Sequence, residues 1–214
     1  MLTFYHAPQS RSFSILWLLE ELGEPYDMQL VDIRGEDGAP ESYRAIQPHK
    51  KVPALIHDGV IVTERAAISL YLGDAFPRAG LAPAVGAPDR AAYLTALVYT
   101  DAVLDPVIAT TALGIDYQPR SVSFGSRDDA VAHLEARLAS GHAAGTRFTA
   151  ADTQLGSAIH YGMNIIGALP RRPVFEAYME RMLARPALQR TLAKDEENAR
   201  ELPDPGQTDP GQPG

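Results

Sequence analysis

Apolar and polar positions alternate in two distinct rhythms along this chain, and the change of rhythm divides it. Residues 2–5 (Leu-Thr-Phe-Tyr) read as a short strand, and Tyr26–Ile33 alternates well enough for a second. Between them Ile15, Leu18, Leu19 and Leu22 recur at i, i+3, i+4 and i+7, which predicts a helix over Arg11–Leu22 with Gly23 as its stop. Pro53–His57 and Val60–Thr63 are β-rich runs joined by Asp58-Gly59, a hairpin signal. A helix follows over Glu64–Phe76, with Ile68, Tyr71, Leu72 and Ala75 on one stripe, and a short helix fits near Glu41–Ile46.

The order to residue 76 is therefore β-α-β-(α)-β-β-α. Three Pro and two Gly within residues 77–88 mark a connecting segment. Beyond it only the helical period remains, with helices expected at about 89–113, 126–144, 150–167, 173–185 and 187–200 and a loop over 116–125. Pro106 should kink or split the first of these, because it removes a hydrogen bond and crowds the preceding turn. Four units result: 1–77, a linker over 78–88, an all-helical unit over 89–202, and a Pro/Gly-rich tail over 203–214 expected to be disordered.

Charge and composition remove several classes of function. The chain carries 19 Lys and Arg against 27 Asp and Glu, a net charge of -8. Residues 1–80 hold 7 basic and 11 acidic side chains and residues 81–214 hold 12 and 16, so no basic face hides behind the total. Phosphate backbones and anionic membranes are therefore poor partners. Cysteine is absent, which removes disulfides, thiolate metal sites and a protein thiol nucleophile. Any thiol chemistry must use a sulfur that a ligand brings in. No His-Glu cluster suggests a metal, and no Gly-rich phosphate loop or Gly-x-Ser-x-Gly elbow is present. The first residues have neither a basic nor an apolar leader region, and the apolar runs are broken by charge short of about 18 residues, so a cytoplasmic protein without a membrane span is expected.

Three segments carry more specific information: Tyr5-His-Ala-Pro-Gln-Ser-Arg-Ser ahead of the Leu-rich helix, Gln47-Pro-His-Lys-Lys-Val-Pro-Ala-Leu, and Thr63-Glu-Arg-Ala-Ala-Ile-Ser-Leu-Tyr-Leu. In this order, followed by a helical half, they resemble the glutathione S-transferase family over nearly everything from residue 1 to about 200. The resemblance implies an α/β thioredoxin-like N-terminal domain plus an all-α C-terminal helical bundle, glutathione as co-substrate, and a homodimer. It is closest to the bacterial, serine-type members of the family.

On that resemblance Ser10 matches the hydroxyl that holds the glutathione sulfur as a thiolate; Arg11 or Ser12 takes the match if the loop aligns differently. A helix start favours an anion, and favouring the thiolate lowers the thiol pKa. The alternative for these serines is a plain helix cap, and Tyr5 is a competing hydroxyl. The resemblance also implies a cis Val52–Pro53 bond, with the Val52 backbone meeting the cysteinyl part of glutathione. His49 and Lys50, with Gln47 beside them, are candidates for its glycyl carboxylate. Glu64 and Arg65 fall where the γ-glutamyl end is bound, although the family usually has Ser where this chain has Arg65.

Thr149-Ala-Ala-Asp152 is a capping pattern that fixes a helix start, with Asp152 expected to be buried. Tyr99, Thr100 and Leu104 are candidates for lining an acceptor pocket. The reading is an enzyme that activates glutathione for attack on a small hydrophobic electrophile, a detoxifying transferase. The alternatives are a non-catalytic glutathione-fold binding or regulatory protein, and a redox enzyme that uses glutathione as reductant.

Overall fold

The computed structural model describes residues 1–202, so the expectation for 203–214 lies outside the described residues. Strands β1 (Leu2–His6), β2 (Tyr26–Leu30), β3 (Ala54–His57) and β4 (Val60–Thr63) form one sheet in the order β2-β1-β3-β4. β1 pairs parallel with β2 through Phe4 and Met28, and antiparallel with β3 through Phe4 and Leu55; β3 pairs antiparallel with β4. The parallel pair needs a crossover, which helix α1 (Phe13–Leu22) supplies. Helix α2 (Arg65–Ala75) completes the first unit, and a 3-10 turn occupies Glu41–Ala45. This is the thioredoxin-like arrangement that the family resemblance implies.

The second unit is helical throughout: α3 (Arg90–Tyr99), α4 (Asp105–Ala112), α5 (Arg127–Leu138), α6 (Ala150–His160), α7 (Pro173–Leu183) and α8 (Pro186–Glu201). Several elements depart from expectation for visible reasons. The second strand ends at Leu30 because the Asp32 carboxylate takes the Arg34 N–H at 2.9 Å and turns the chain. The helix expected to reach residue 144 stops at Leu138, ahead of Gly141 at φ 103°. Pro106 does not split its helix. A π turn over Thr100–Leu104 joins α3 to α4, with the Asp105 N–H reaching back to the Thr100 carbonyl, and this wider turn accommodates the proline just after it.

That run, Arg90–Ala112, is by length and composition also apolar enough to cross a membrane, at a mean hydropathy of 1.3. It is interrupted by charge only at Asp101 and Asp105. Its buried face (Tyr93, Ala96, Leu97, Leu104, Ile108) is part of the protein core.

Residues Ser14–Glu20 of α1 are all buried. A helix buried on every side needs two partners, and α1 lies between the sheet and the helical unit. Trp17 packs against Phe148, with ring centroids 6.0 Å apart, and a Cβ at Gly156 of α6 would lie 3.0 Å from the Trp17 ring. One hydrophobic cluster consequently runs through both units, from Phe4 and Leu16 to Leu97, Leu155 and Tyr178. Polar ties close the same seam: Glu21 accepts from Arg185 Nε at 2.6 Å and Nη2 at 2.7 Å, and Glu20 accepts from Lys194 Nζ at 2.6 Å and Arg190 Nε at 3.0 Å.

At the start of α6, Asp152 is fully buried, as the capping pattern required. Its Oδ2 accepts the Thr149 N–H at 2.8 Å, and its Oδ1 accepts the Ala143 N–H at 2.8 Å and the Tyr178 hydroxyl at 3.1 Å. Burial, reinforced by the Asp152 charge, pushes the Tyr178 phenol well above its ordinary value, so it stays a donor.

Candidate active site

The ends of β1, β3 and β4 deliver three loops to one edge of the seam between the units. From β1 the chain runs through Ala7–Ser12 into α1. Gln9 takes φ 54°, an uncommon conformation for a residue with a side chain, and its N–H is held by Asp195 Oδ2 of α8 at 3.1 Å. Ser10 is half-buried, with its hydroxyl 2.7 Å from the Ala7 carbonyl and 2.7 Å from the Ser12 hydroxyl. Ser12 is fully buried, and its hydroxyl is engaged by His6 Nδ1 at 2.8 Å, the Ala7 N–H at 3.2 Å and Ser10.

The second loop enters β3 through a cis Val52–Pro53 bond. Upstream, buried Gln47 uses its side-chain oxygen to accept the His49 N–H at 2.6 Å and the Lys51 N–H at 3.3 Å. The third loop starts α2. Glu64 holds φ 68° and is exposed, whereas Arg65 is buried and its guanidinium reaches Asp101 and Asp105, two acids one helical turn apart on the helical unit. The Ala66 N–H donates to Asp101 Oδ2 at 3.0 Å. Asp105 Oδ2 also accepts from Arg11 Nε at 2.8 Å; partial burial opposes the Arg11 charge, but Asp105 outweighs it and raises the Arg11 pKa.

Two cavities open between these loops. The smaller, about 340 Å³, has mostly charged and polar residues in its lining, His49, Lys51, Glu64, Asp101 and Asp105 among them. The larger, about 800 Å³, is lined by Ser10 and Asp195 together with Phe13, Ile33, Tyr161, Ile165 and Leu192. Arg11, Lys51, Val52, Arg65 and Asp105 line both, so the cavities share a wall. His160 also faces the larger one, and burial lowers its pKa and disfavours the imidazolium. Among the described residues no group of acids and histidines has the arrangement of a metal site.

A family profile described as "Glutathione S-transferase, N-terminal domain" matches residues 1–74. Glutathione S-transferase 3 of Schizosaccharomyces pombe is 40% identical over 72 residues, a match spanning 34% of this chain and only 29% of that relative's length. Glutathione S-transferase GstA of Escherichia coli O157:H7 is 29% identical over 203 residues, covering 89% of this chain and 97% of the relative. Residues 1–74 match the glutathione S-transferase N-terminal domain, and over most of its length the chain is similar to glutathione S-transferases. Among solved structures, a sphingomonad glutathione S-transferase complexed with glutathione superposes with a TM-score of 0.71 at 27% identity, over 91% of this chain and 98% of that one.

The site residues implied by the glutathione S-transferase resemblance separate into two groups. Arg11, Val52 and Arg65 line both cavities, His49, Pro53 and Glu64 the smaller, and Ser10 the larger. Lys50 is on neither wall: its φ of 56° turns the side chain to the Asp37 carbonyl, 2.8 Å away, and Lys51 occupies the cavity instead. Ser12 is fully buried and lines neither cavity. Arg65 is committed to two carboxylates rather than free to clamp a ligand.

Tyr99, Thr100 and Leu104 line neither cavity. Thr100 and Leu104 are fully buried, with the Thr100 hydroxyl on the Ala96 carbonyl at 2.9 Å, and Tyr99 stacks on His133. The apolar wall comes from α1, the π turn at Tyr161–Ile165 and α8 instead. His6 and Asp195 carry no local signal in the sequence, whereas the acids at 101 and 105, alone in an apolar helix, mark a partner across the seam.

Proposed function

We propose that this chain, whose first 74 residues match a glutathione S-transferase N-terminal domain, is an active glutathione transferase. Glutathione fills the smaller cavity with its sulfur at Ser10, and the larger cavity takes a small hydrophobic electrophile. The observation that carries the reading is the position of Ser10 beside the wall that the polar and apolar cavities share.

Glutathione presents an ammonium and a carboxylate at its γ-glutamyl end, a peptide in the middle and a second carboxylate at its glycyl end. Glu64 and Asp101 suit the ammonium, and Lys51 and His49 suit a carboxylate. Val52 suits the peptide, since no hydrogen bond of the described residues engages its N–H or C=O. The Ser10 hydroxyl donates to the sulfur and favours the thiolate, which attacks the electrophile as its leaving group departs and leaves a thioether. Phe13, Ile33, Tyr161, Ile165 and Leu192 exclude water around the acceptor. The sphingomonad relative complexed with glutathione supports the choice of co-substrate.

In this reading residues 1–77 bind glutathione, 78–88 link, and 89–202 complete the acceptor cavity. Two copies pair, which would cover the exposed Val60, Ile61, Leu94 and Val98. The compartment is the reducing cytoplasm, where glutathione keeps its thiol, and the role is detoxification. A specific observation favours the second reading, a non-catalytic binding protein: Asp101 occupies the Ala66 N–H at the α2 start, a donor that a γ-glutamyl carboxylate would otherwise take. Retention on immobilised glutathione together with turnover of a chlorodinitrobenzene supports the enzyme. Retention without turnover, unchanged by Ser10→Ala, supports the binding protein, and no retention overturns both.

A further inference from the structure

Behind Ser10 a line of polar side chains leads away from the cavity and ends on a carboxylate of the helical unit. Ser10 Oγ is 2.7 Å from Ser12 Oγ, Ser12 Oγ is 2.8 Å from His6 Nδ1, and His6 Nε2 is 3.0 Å from Asp195 Oδ1. His6 and Ser12 are entirely buried, and Asp195 nearly so. The last contact is close but poorly aligned, so His6 Nε2 has charge attraction from Asp195 without a straight hydrogen bond. Asp195 also fixes the Gln9 N–H, so one carboxylate braces both the histidine and the loop that carries Ser10.

Each hydroxyl in this line donates one hydrogen and accepts others, and a neutral imidazole has one donor and one acceptor nitrogen. The Ala7 carbonyl lies beside both hydroxyls, 2.7 Å from Ser10 Oγ and 3.1 Å from Ser12 Oγ, and competes for their hydrogens; of the arrangements open to the line, two run its whole length. With His6 neutral and its Nε2 proton toward Asp195, Nδ1 accepts from Ser12, Ser12 accepts from Ser10, and Ser10 presents a lone pair to the cavity. With His6 protonated at both nitrogens, every bond reverses and Ser10 presents its hydrogen.

We infer that His6, paired with Asp195, receives the thiol proton of glutathione through Ser10 and Ser12. The S–H bond breaks as its proton passes to Ser10 Oγ; the Ser10 proton passes to Ser12 Oγ, and the Ser12 proton to His6 Nδ1. One negative charge appears on sulfur, now accepting from Ser10, and one positive charge on His6 beside Asp195. After the sulfur is alkylated the proton returns by the same hydroxyls to water in the cavity. No other reactant is required. Other charges on the packed elements have their own partners: Lys194 and Arg190 hold Glu20, and Arg34 holds the Pro8 carbonyl and Gln9. The Phe4 ring, 5.4 Å from His6, adds no charge. His6, Ser12 and Asp195 are positioning residues in this scheme, acting on the sulfur only through Ser10.

The inference rests on the glutathione reading, and the experiment separates the two. Nitrogen-15 resonances of the His6 ring are followed in the intact protein as glutathione, or S-methylglutathione, which has no thiol proton, is added. The expected result is one protonated ring nitrogen in the free protein, both protonated with glutathione, and no change with the S-methyl compound. Glutathione binding with turnover while His6 stays neutral overturns the relay alone, as does the same response to both ligands. Failure of both compounds to bind overturns the glutathione reading and the relay with it. Asp195→Asn keeps an acceptor for the Gln9 N–H but removes the charge. It is expected to lower the bound thiolate absorbance and kcat at neutral pH at least tenfold with KM for glutathione unchanged, and Asp195→Glu to restore them. A wild-type thiolate signal in Asp195→Asn contradicts the relay.

Discussion

Asp101 Oδ2 accepts the Ala66 N–H at 3.0 Å while its other oxygen pairs with Arg65, so a helix of the second unit caps the first turn of α2. Arg65 is 6% exposed and is shared with Asp105. Removing it takes away the cation shared by two half-buried carboxylates, leaving Asp105 with Arg11 and Asp101 with the Ala66 N–H. Arg65→Ala should lower stability by about 3 kcal/mol, read from urea unfolding, and a double-mutant cycle with Asp101→Asn should show coupling. Independent effects of the two substitutions would contradict the clamp.

Adjacent lysines should behave differently. Lys51 lines both cavities and Lys50 is tied to the Asp37 carbonyl, so Lys51→Ala should raise KM for glutathione several-fold, about 1 kcal/mol of binding. Lys50→Ala should leave KM within twofold. Steady-state kinetics at fixed electrophile concentration distinguish them, and equal effects would contradict the assignment.

Asp152 is a structural group. Asp152→Ala orphans the Thr149 and Ala143 N–H groups and the Tyr178 hydroxyl in a sealed site, which should cost about 3–5 kcal/mol. The fraction that remains folded should keep its kcat, measured per active site. A stable protein with lost turnover would contradict this reading.

The Glu20 cluster predicts a pH dependence. Burial alone would raise the Glu20 carboxyl, but hydrogen bonds from Lys194, Tyr26 and Arg190 together hold it below its ordinary value of 4.5. A group lowered in the folded state stabilises fully above its unfolded value, and that contribution is lost as pH falls through the folded one. Thermal unfolding should therefore show the wild-type protein losing stability below about pH 4.5 more steeply than Glu20→Gln, with the gap between them closing. Tyr26 is pushed up to about 12, by burial first and then by Glu20, so its hydroxyl remains a donor throughout this range.

Local pattern was enough for most of the architecture. The Leu-rich period of α1, the Asp58-Gly59 turn and the Thr149–Asp152 cap act over a few residues, and each appears in the structure where the sequence placed it. What failed depended on contacts between distant segments. Helical period identifies the buried face of the 89–113 run but does not tell core from cavity, and Thr100 and Leu104, pocket candidates by sequence, face the interior. Lys50 and Lys51 differ only through a left-handed turn at Lys50. Ser10 and Ser12 are chemically equal in sequence, and only burial separates them. His6 and Asp195 lie near opposite ends of the described chain, where no spacing rule connects them.

The proposed function requires the protein to ionise a thiol that its ligand supplies. Ultraviolet difference spectroscopy of the protein mixed with glutathione at neutral pH reads that ionisation directly, with Ser10→Ala alongside. The account predicts a thiolate band that saturates with glutathione in the wild-type protein and is at least tenfold weaker in Ser10→Ala, at similar affinity. Glutathione bound without a thiolate band, or a band undiminished in Ser10→Ala, would contradict it.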